Sequence, residues 1–213
     1  MYFLPEKLDD YVVAHSQEEP ELLQQLTRET YQKILQPIML SGPYQGRVLS
    51  MISKLKSPKT ILELGTFTGY ATLCLAEGLQ NDGIIDTIDI NEELIDFQRK
   101  YFDKSKYGTQ IHQHLGSALD IIPTLKNTYD LVFIDADKPN YSNYFNLVID
   151  KVNSGGIILS DNVLWHGKVV EPLNDKDHST KAVLEFNTLL KEDHRIETVL
   201  LPIRDGLTVS RKK

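Results

Sequence analysis

The hydrophobic rhythm of this chain changes once, near residue 58. Before that point apolar positions recur every three or four residues. Leu22, Leu23 and Leu26 are followed by Tyr31, Ile34 and Leu35, then, beyond a break at Pro37, by Val48, Met51, Ile52 and Leu55. This is the spacing of amphipathic helices. Glu18-Glu19-Pro20-Glu21 supplies a helix start, and Ser41-Gly42-Pro43 a loop ahead of a helix over 44–56. Residues 1–57 therefore read as a helical arm, suited to cover a sheet edge, to form a dimer surface or to supply a lid.

After residue 58 short apolar runs alternate with helical patterns. Strands are predicted over 60–64, 84–90, 110–115, 131–135 and 156–160, with helices over 70–79, 92–104, 118–125 and 141–152 between them. A loop to about residue 178 leads to a helix over 180–192 and two last strands, 196–202 and 206–210. Such alternation is the signature of a mostly parallel sheet. The short Arg204-Asp205-Gly206 connection reads as a hairpin turn, which makes the last strand antiparallel. The expected fold is α/β: one domain over 1–213, with a helical arm (1–57) on a seven-stranded core (58–213).

The first core strand runs into Glu63-Leu64-Gly65-Thr66-Phe67-Thr68-Gly69 and then a helix. Strand, glycine turn and helix form a nucleotide-sized crevice at the carboxyl edge of an open sheet. The Gly-x-x-x-Gly spacing is a poor match to the pyrophosphate-binding Gly-x-Gly-x-x-Gly. Glu63 is an unusual carboxylate among apolar neighbours, able to accept hydrogen bonds from a ligand amine or hydroxyl. Asp89 ends the second strand 20 residues after Gly69, where such folds place the acid that binds ribose hydroxyls; the competing reading is a helix N-cap. Together these residues point to an adenosine-type ligand.

The fourth strand delivers Asp135 to the same edge, and the fifth delivers Asp161-Asn162. If these strands are neighbours, three hard oxygen donors meet, a set suited to Mg²⁺, Mn²⁺ or Ca²⁺. Lys138 lies three residues beyond Asp135. A nearby divalent cation favours a neutral lysine, which suits a general base; the alternative is a surface lysine in a turn. Among the histidines, His112 and His114 share one face of an edge strand, and His166 lies in the loop after Asn162.

Composition narrows the classes. A formal charge of -7 argues against broad electrostatic binding to nucleic acid or anionic membrane. The single cysteine, Cys74, allows no internal disulfide, indicates a reducing, cytoplasmic setting, and reads as a small buried hydrophobe. The N-terminal residues lack a signal-peptide layout, and no apolar run reaches the ~20 residues of a membrane span.

These motifs, in this order, resemble the cation-dependent, S-adenosylmethionine-using O-methyltransferases, the group of the catechol and caffeoyl-CoA O-methyltransferases. The resemblance runs from Met39 to Gly46 through the glycine loop, Asp89, Asp135-Ala136-Asp137-Lys138 and Asp161-Asn162 to the terminal Leu201-Pro202-Ile203-Arg204-Asp205-Gly206-Leu207. It implies a Rossmann-like methyltransferase fold and a homodimer. Met39, Leu40 and Ser41 would line the methionine end of the cofactor. Glu63, Gly65, Thr66, Phe67, Gly69 and Ala71 would form its main loop, Asp89 would hold the ribose, and the Gly116-Ser117-Ala118-Leu119 turn the adenine. Asp135, beside the cofactor, would hold the divalent cation with Asp161 and Asn162, and Lys138 would be the base. Family members often have serine at the Ala71 position, and glycine is common where Arg204 stands. Ala118 and Leu119 replace polar side chains of the catechol enzyme.

The implied activity is methylation of one hydroxyl of a vicinal-diol phenol. Two adjacent oxygens on a divalent ion would lower the phenol's pKa from about 10 and fix the ring. Rival readings are methylation of a hydroxyl on a modified tRNA base (hydroxyuridine) and a non-catalytic cofactor-binding protein. The acidic balance opposes the first, with no basic run beyond Arg211-Lys212-Lys213, and the intact Asp135, Lys138, Asp161 and Asn162 set opposes the second.

Overall fold

In the computed structural model, which describes residues 5–213, the centre of the molecule is β1 (Thr60–Leu64). Residues 1–4 of the expected arm lie outside the described residues. On one side β1 pairs with β2 (Ile84–Asp89), which pairs with β3 (Ile111–Leu115); on the other it pairs with β4 (Tyr129–Ile134), which pairs with β5 (Val152–Asp161). All four pairings are parallel. The closing hairpin, β6 (Ile196–Leu201) and β7 (Leu207–Lys212), enters with β7 antiparallel to β5, giving the order β3-β2-β1-β4-β5-β7-β6. The seven-stranded, mostly parallel sheet with an antiparallel C-terminal strand is as expected.

Both faces are covered, so the central strands carry apolar residues on each side. Ile61, Leu131, Phe133 and Leu159 pack under the arm helices and α4 (Tyr70–Ala76), with Tyr101 and Phe102 of α5 (Ile95–Lys104). Leu62, Leu64, Val132, Ile134 and Ile158 pack under α7 (Tyr141–Val148) and α8 (His178–Glu192), with Ile122 after the short α6 (Ala118–Ile121). Among the described residues no helix is long and apolar enough to cross a membrane. Cys74 is fully buried, and burial pushes its thiol up to about 12.

The arm folds as α1 (Glu6–Ala14), α2 (Glu21–Lys33) and α3 (Gly42–Lys56), joined by a 3₁₀ turn, Pro37–Met39. Two expectations are corrected here. The second arm helix stops at Lys33, so Ile34 and Leu35 are not on its apolar face, and Leu35 is 87% exposed. Ser41-Gly42-Pro43 is not a free loop, since α3 starts at Gly42 with proline in its first turn, where no intrahelical N–H is needed.

The arm is fastened by polar contacts as well as by Leu23, Leu26 and Leu49. Glu77 accepts from Arg47, Ser50 and Lys54 of α3, and Tyr70 donates to Glu19. In the core, β5 begins earlier than predicted, at Val152, and the preceding helix accordingly ends at Val148. A register shift between Tyr129 and Leu131, with Gly155 at φ +72°, breaks the alternation there.

Candidate active site

The strand order reverses between β2 and β4, the two neighbours of β1, and ligand crevices open at the carboxyl ends of such strands. There Gly65 N donates to Ile88 O and Asp135 N to Leu64 O, each at 2.9 Å, so three strand ends are joined. Gly65 has φ +95°, and a Cβ on it would lie 1.9 Å from the Asp135 carbonyl oxygen, so no other residue fits.

The Gly65–Gly69 loop is held from outside. Asp89 accepts from Phe67 N (2.7 Å) and from Asn91 N (2.9 Å), and Gln98 Nε2 donates to Phe67 O (2.7 Å). The helical turn that follows is capped by Asn91, which accepts from Glu93 N, so the N-cap reading of Asp89 does not hold.

Glu63 is buried on the floor of this crevice. One carboxylate oxygen accepts from Thr72 and Thr87 hydroxyls, and the other, Oε1, has no partner among the described residues. Burial, with Asp135 and Asp89 adding to it, pushes the carboxyl up to about 8 despite the two threonines. Between the unfolded value of 4.5 and about 8 the folded chain holds a proton that the unfolded chain has lost, so stability falls as pH rises through this window. In the cofactor-free protein Glu63→Gln is therefore expected to flatten the loss by up to ~1.4 kcal/mol per pH unit. Urea midpoints of both proteins at pH 5 and pH 8 measure this; equal losses refute it.

Beside the loop, the ends of β4 and β5 bring Asp135, Asp161 and Asn162 together, with Lys138 among them. Lys138 Nζ lies 3.5 Å from Asp135 Oδ1 and donates to Asn162 Oδ1 at 3.0 Å. It also bonds the Tyr141 hydroxyl, which donates to Asp161 O at 3.0 Å. Burial first, then the Asp135 charge, raises the Asp161 carboxyl well above the usual carboxylate range. Asn162 takes φ +57°, a backbone that asparagine tolerates better than most residues.

The cluster thus holds two mutually repelling carboxylates, an amide oxygen, and an ammonium lodged between two of the three. It is a place that favours positive charge, and its hard oxygens fit a divalent cation. Among the described residues no group of three or more His, Cys, Asp or Glu side chains could hold a metal, so a cation here would need the Asn162 amide as a third donor.

The remaining predicted residues lie on three further elements. Leu40 and Ser41 are buried between the 3₁₀ turn and α3, whereas Met39 is exposed. Ala71 is buried in the first turn of α4. Ala118 opens α6 after Gly116, whose N–H donates to Asp89 O at 2.9 Å. His112 and His114 do lie on an edge strand, where His114 Nε2 is 2.8 Å from the buried Asp86. His166 is exposed in its loop, with Nδ1 3.7 Å from Asp205. A groove of about 480 Å³ lined by Leu22, Leu23, Lys104 and Tyr107 contains none of the site residues.

Two contacts lay beyond the sequence reading. Gln45 of α3 is fully buried and donates to Asp161 Oδ2 at 2.7 Å, orienting that carboxylate from the arm. Its signal was a polar side chain on the helix face shared with Leu49 and Ser53. Arg204, at φ +48° in the hairpin turn, donates Nη1 to the carbonyls of Leu40 and Ser41, linking the turn to the arm.

Residues 13–213 match the family model described as O-methyltransferase. Caffeoyl-CoA O-methyltransferase 5 of Nicotiana tabacum is 38% identical over 91% of this chain and 85% of its own length. Caffeoyl-CoA O-methyltransferase 1 of Arabidopsis thaliana is also 38% identical, over 91% of this chain and 79% of its own. Among solved structures, the S-adenosylhomocysteine-bound Podospora anserina methyltransferase PaMTH1 superposes with a TM-score of 0.89 at 29% identity, covering 100% of this chain and 99% of that one. The Bacillus cereus O-methyltransferase bound to S-adenosylhomocysteine gives 0.89 at 26% identity, with 97% of each chain covered.

Proposed function

Because the chain belongs to the O-methyltransferase family, we propose that it methylates one hydroxyl of a vicinal-diol phenol, of catechol or caffeoyl type, at a divalent-cation site. S-adenosylmethionine-dependent O-methyl transfer is the family's chemistry; the diol and the cation are the finer part of the reading. The observation that carries it is the cluster of Asp135, Asp161 and Asn162 around Lys138 Nζ, at the sheet edge next to the Gly65–Gly69 loop.

A divalent cation held by Asp135, Asp161 and Asn162 would supply Lewis acidity that lowers the pKa of a phenol from about 10. The bound cofactor would supply a sulfonium methyl group, transferred in line to the phenolate oxygen. Around them the protein's part is positioning and proton transfer. Glu63 Oε1, without a partner among the described residues, is available to a ligand donor. Asp89 would hold the ribose hydroxyls while keeping Phe67 in place, and the turn at Ala118 would face the adenine.

Leu40 and Ser41, with Met39, would enclose the methionine end. Lys138 would accept the phenol proton at Nζ. It is buried beneath Trp165 and against Tyr141, which fix its approach and keep water from it. Gln45, through Asp161, would keep a carboxylate oriented toward the reacting groups.

The test is methyl transfer from S-adenosylmethionine to caffeate, a catechol and a monophenol, with Mg²⁺ and then with EDTA. Turnover of the diols alone, lost in EDTA, is expected. Equal turnover of the monophenol, or turnover that survives EDTA, refutes the proposal.

A further inference from the structure

Resting on that reading, we infer that Arg204 recognises a negative charge on the substrate, so that the preferred diol carries a carboxylate or phosphate. The chain has six arginines. Arg47, Arg99, Arg195 and Arg211 each pair with an acid, and Arg28 is exposed. Arg204 is partly buried and, among the described residues, has no carboxylate partner. It also keeps φ +48°, a backbone that costs a side chain free energy and costs glycine none. The tie from this turn to the arm uses Nη1 alone, so the rest of the guanidinium has no structural task among the described residues.

The guanidinium is already oriented. Nη1 is occupied by the Leu40 and Ser41 carbonyls, which fixes the plane and leaves the parallel Nε–H and Nη2–H pair without a partner among the described residues. That edge matches the two oxygens of a carboxylate or phosphate, and its preset orientation reduces the entropy lost on binding.

Its location suits a substrate. A Cβ on Gly42 would lie 3.9 Å from Arg204 Nη1, and Gln45, one helical turn further along α3, touches Asp161 Oδ2. The head group therefore lies against the first residue of α3, one helical turn before the residue that contacts Asp161. On its other side the hairpin turn is pinned to the segment after Asn162, with Val163 N donating to Gly206 O and Leu164 N to Asp205 O. We place the short side chain of a ring seated at the acids toward Arg204.

The experiment compares kcat/KM for caffeate, its neutral methyl ester and caffeoyl-CoA in the wild type, Arg204→Gln, Arg204→Lys and Arg204→Gly. The wild type is expected to favour an anionic substrate over the ester by about 10- to 100-fold, the range of a charge-assisted bond. In R204Q and R204G that ratio should fall to within about threefold of unity, with R204K in between. Because the ratio is taken within each protein, partial loss of folded enzyme does not change it, and R204G relieves the turn's strain. A preference confined to caffeate assigns the charge to a carboxylate; one confined to the thioester assigns it to a phosphate. Turnover without charge preference, or a preference that survives in R204Q and R204G, overturns the role of Arg204 alone. Absence of turnover on every diol overturns the diol reading and the inference with it.

Discussion

Asp135→Ala is expected to lower kcat by about a thousandfold or more, while affinity for S-adenosylhomocysteine changes by less than about tenfold. The separation follows from how Asp135 is built into the site. Its backbone carries the fold, with N–H bonded to Leu64 O and the carbonyl packed against Gly65, and an alanine keeps both. Its side chain, partly exposed, faces Lys138 and adds to the field that raises Asp161 and Glu63. Removing it leaves one carboxylate and one amide for the proposed cation, which is too few hard donors for tight binding. Turnover across a Mg²⁺ titration and calorimetry with S-adenosylhomocysteine give the two numbers. Wild-type turnover in the variant would sink the assignment of the cation site.

The second large effect is expected at Lys138. Lys138→Met should lower kcat by about 10²- to 10⁴-fold with KM for both substrates changed little, the pattern of a lost general base. Methionine fills the same buried channel between Tyr141 and Trp165, and the Tyr141 hydroxyl keeps Asp161 O as its acceptor. The fold should therefore survive. A phenol can also lose its proton to hydroxide, so kcat of the variant should climb steadily from pH 7 to 9.5, narrowing the gap to the wild type. An unchanged kcat, or a defect of the same size at every pH, removes Lys138 from that role.

The parts of the site that could be read in the sequence are those set by local pattern. Asp135 and Asp161 sit at the ends of apolar strands, and an apolar run followed by an acid marks such a position by itself. The glycine loop was equally legible, because Gly65 and Gly69 both occupy positive-φ positions that local sequence advertises. The parts that escaped depend on distant partners. Gln45 meets Asp161 across 116 residues; its place on the helix face of Leu49 and Ser53 marks it as buried, but nothing near it in the chain names the partner.

Strand ends depart from the local pattern for a related reason. The last strand is expected to end at 210, yet Arg211 and Lys212 extend β7, and Lys212 Nζ reaches the carbonyls of Ile149 and Val152. Likewise Gly155 and Gly156 looked like the start of a strand, whereas they sit at an irregularity within a longer one. In each case tertiary pairing outweighed local propensity.

The buried bond from Gln45 to Asp161 also bears on how such enzymes can be re-engineered. Helical arms invite exchange between relatives, as if they were cassettes clipped onto a common core. Here the arm contains a hydrogen-bond donor that the core's acidic centre relies on, and it receives a guanidinium from the far end of the chain. A transplanted arm lacking that glutamine would leave a buried carboxylate oxygen without its donor, at a cost of about 1–3 kcal/mol, before any new contact with a substrate was made. The unit of exchange is therefore the arm together with residues 161 and 204, and chimeras cut anywhere inside that set start with a defect in their chemistry.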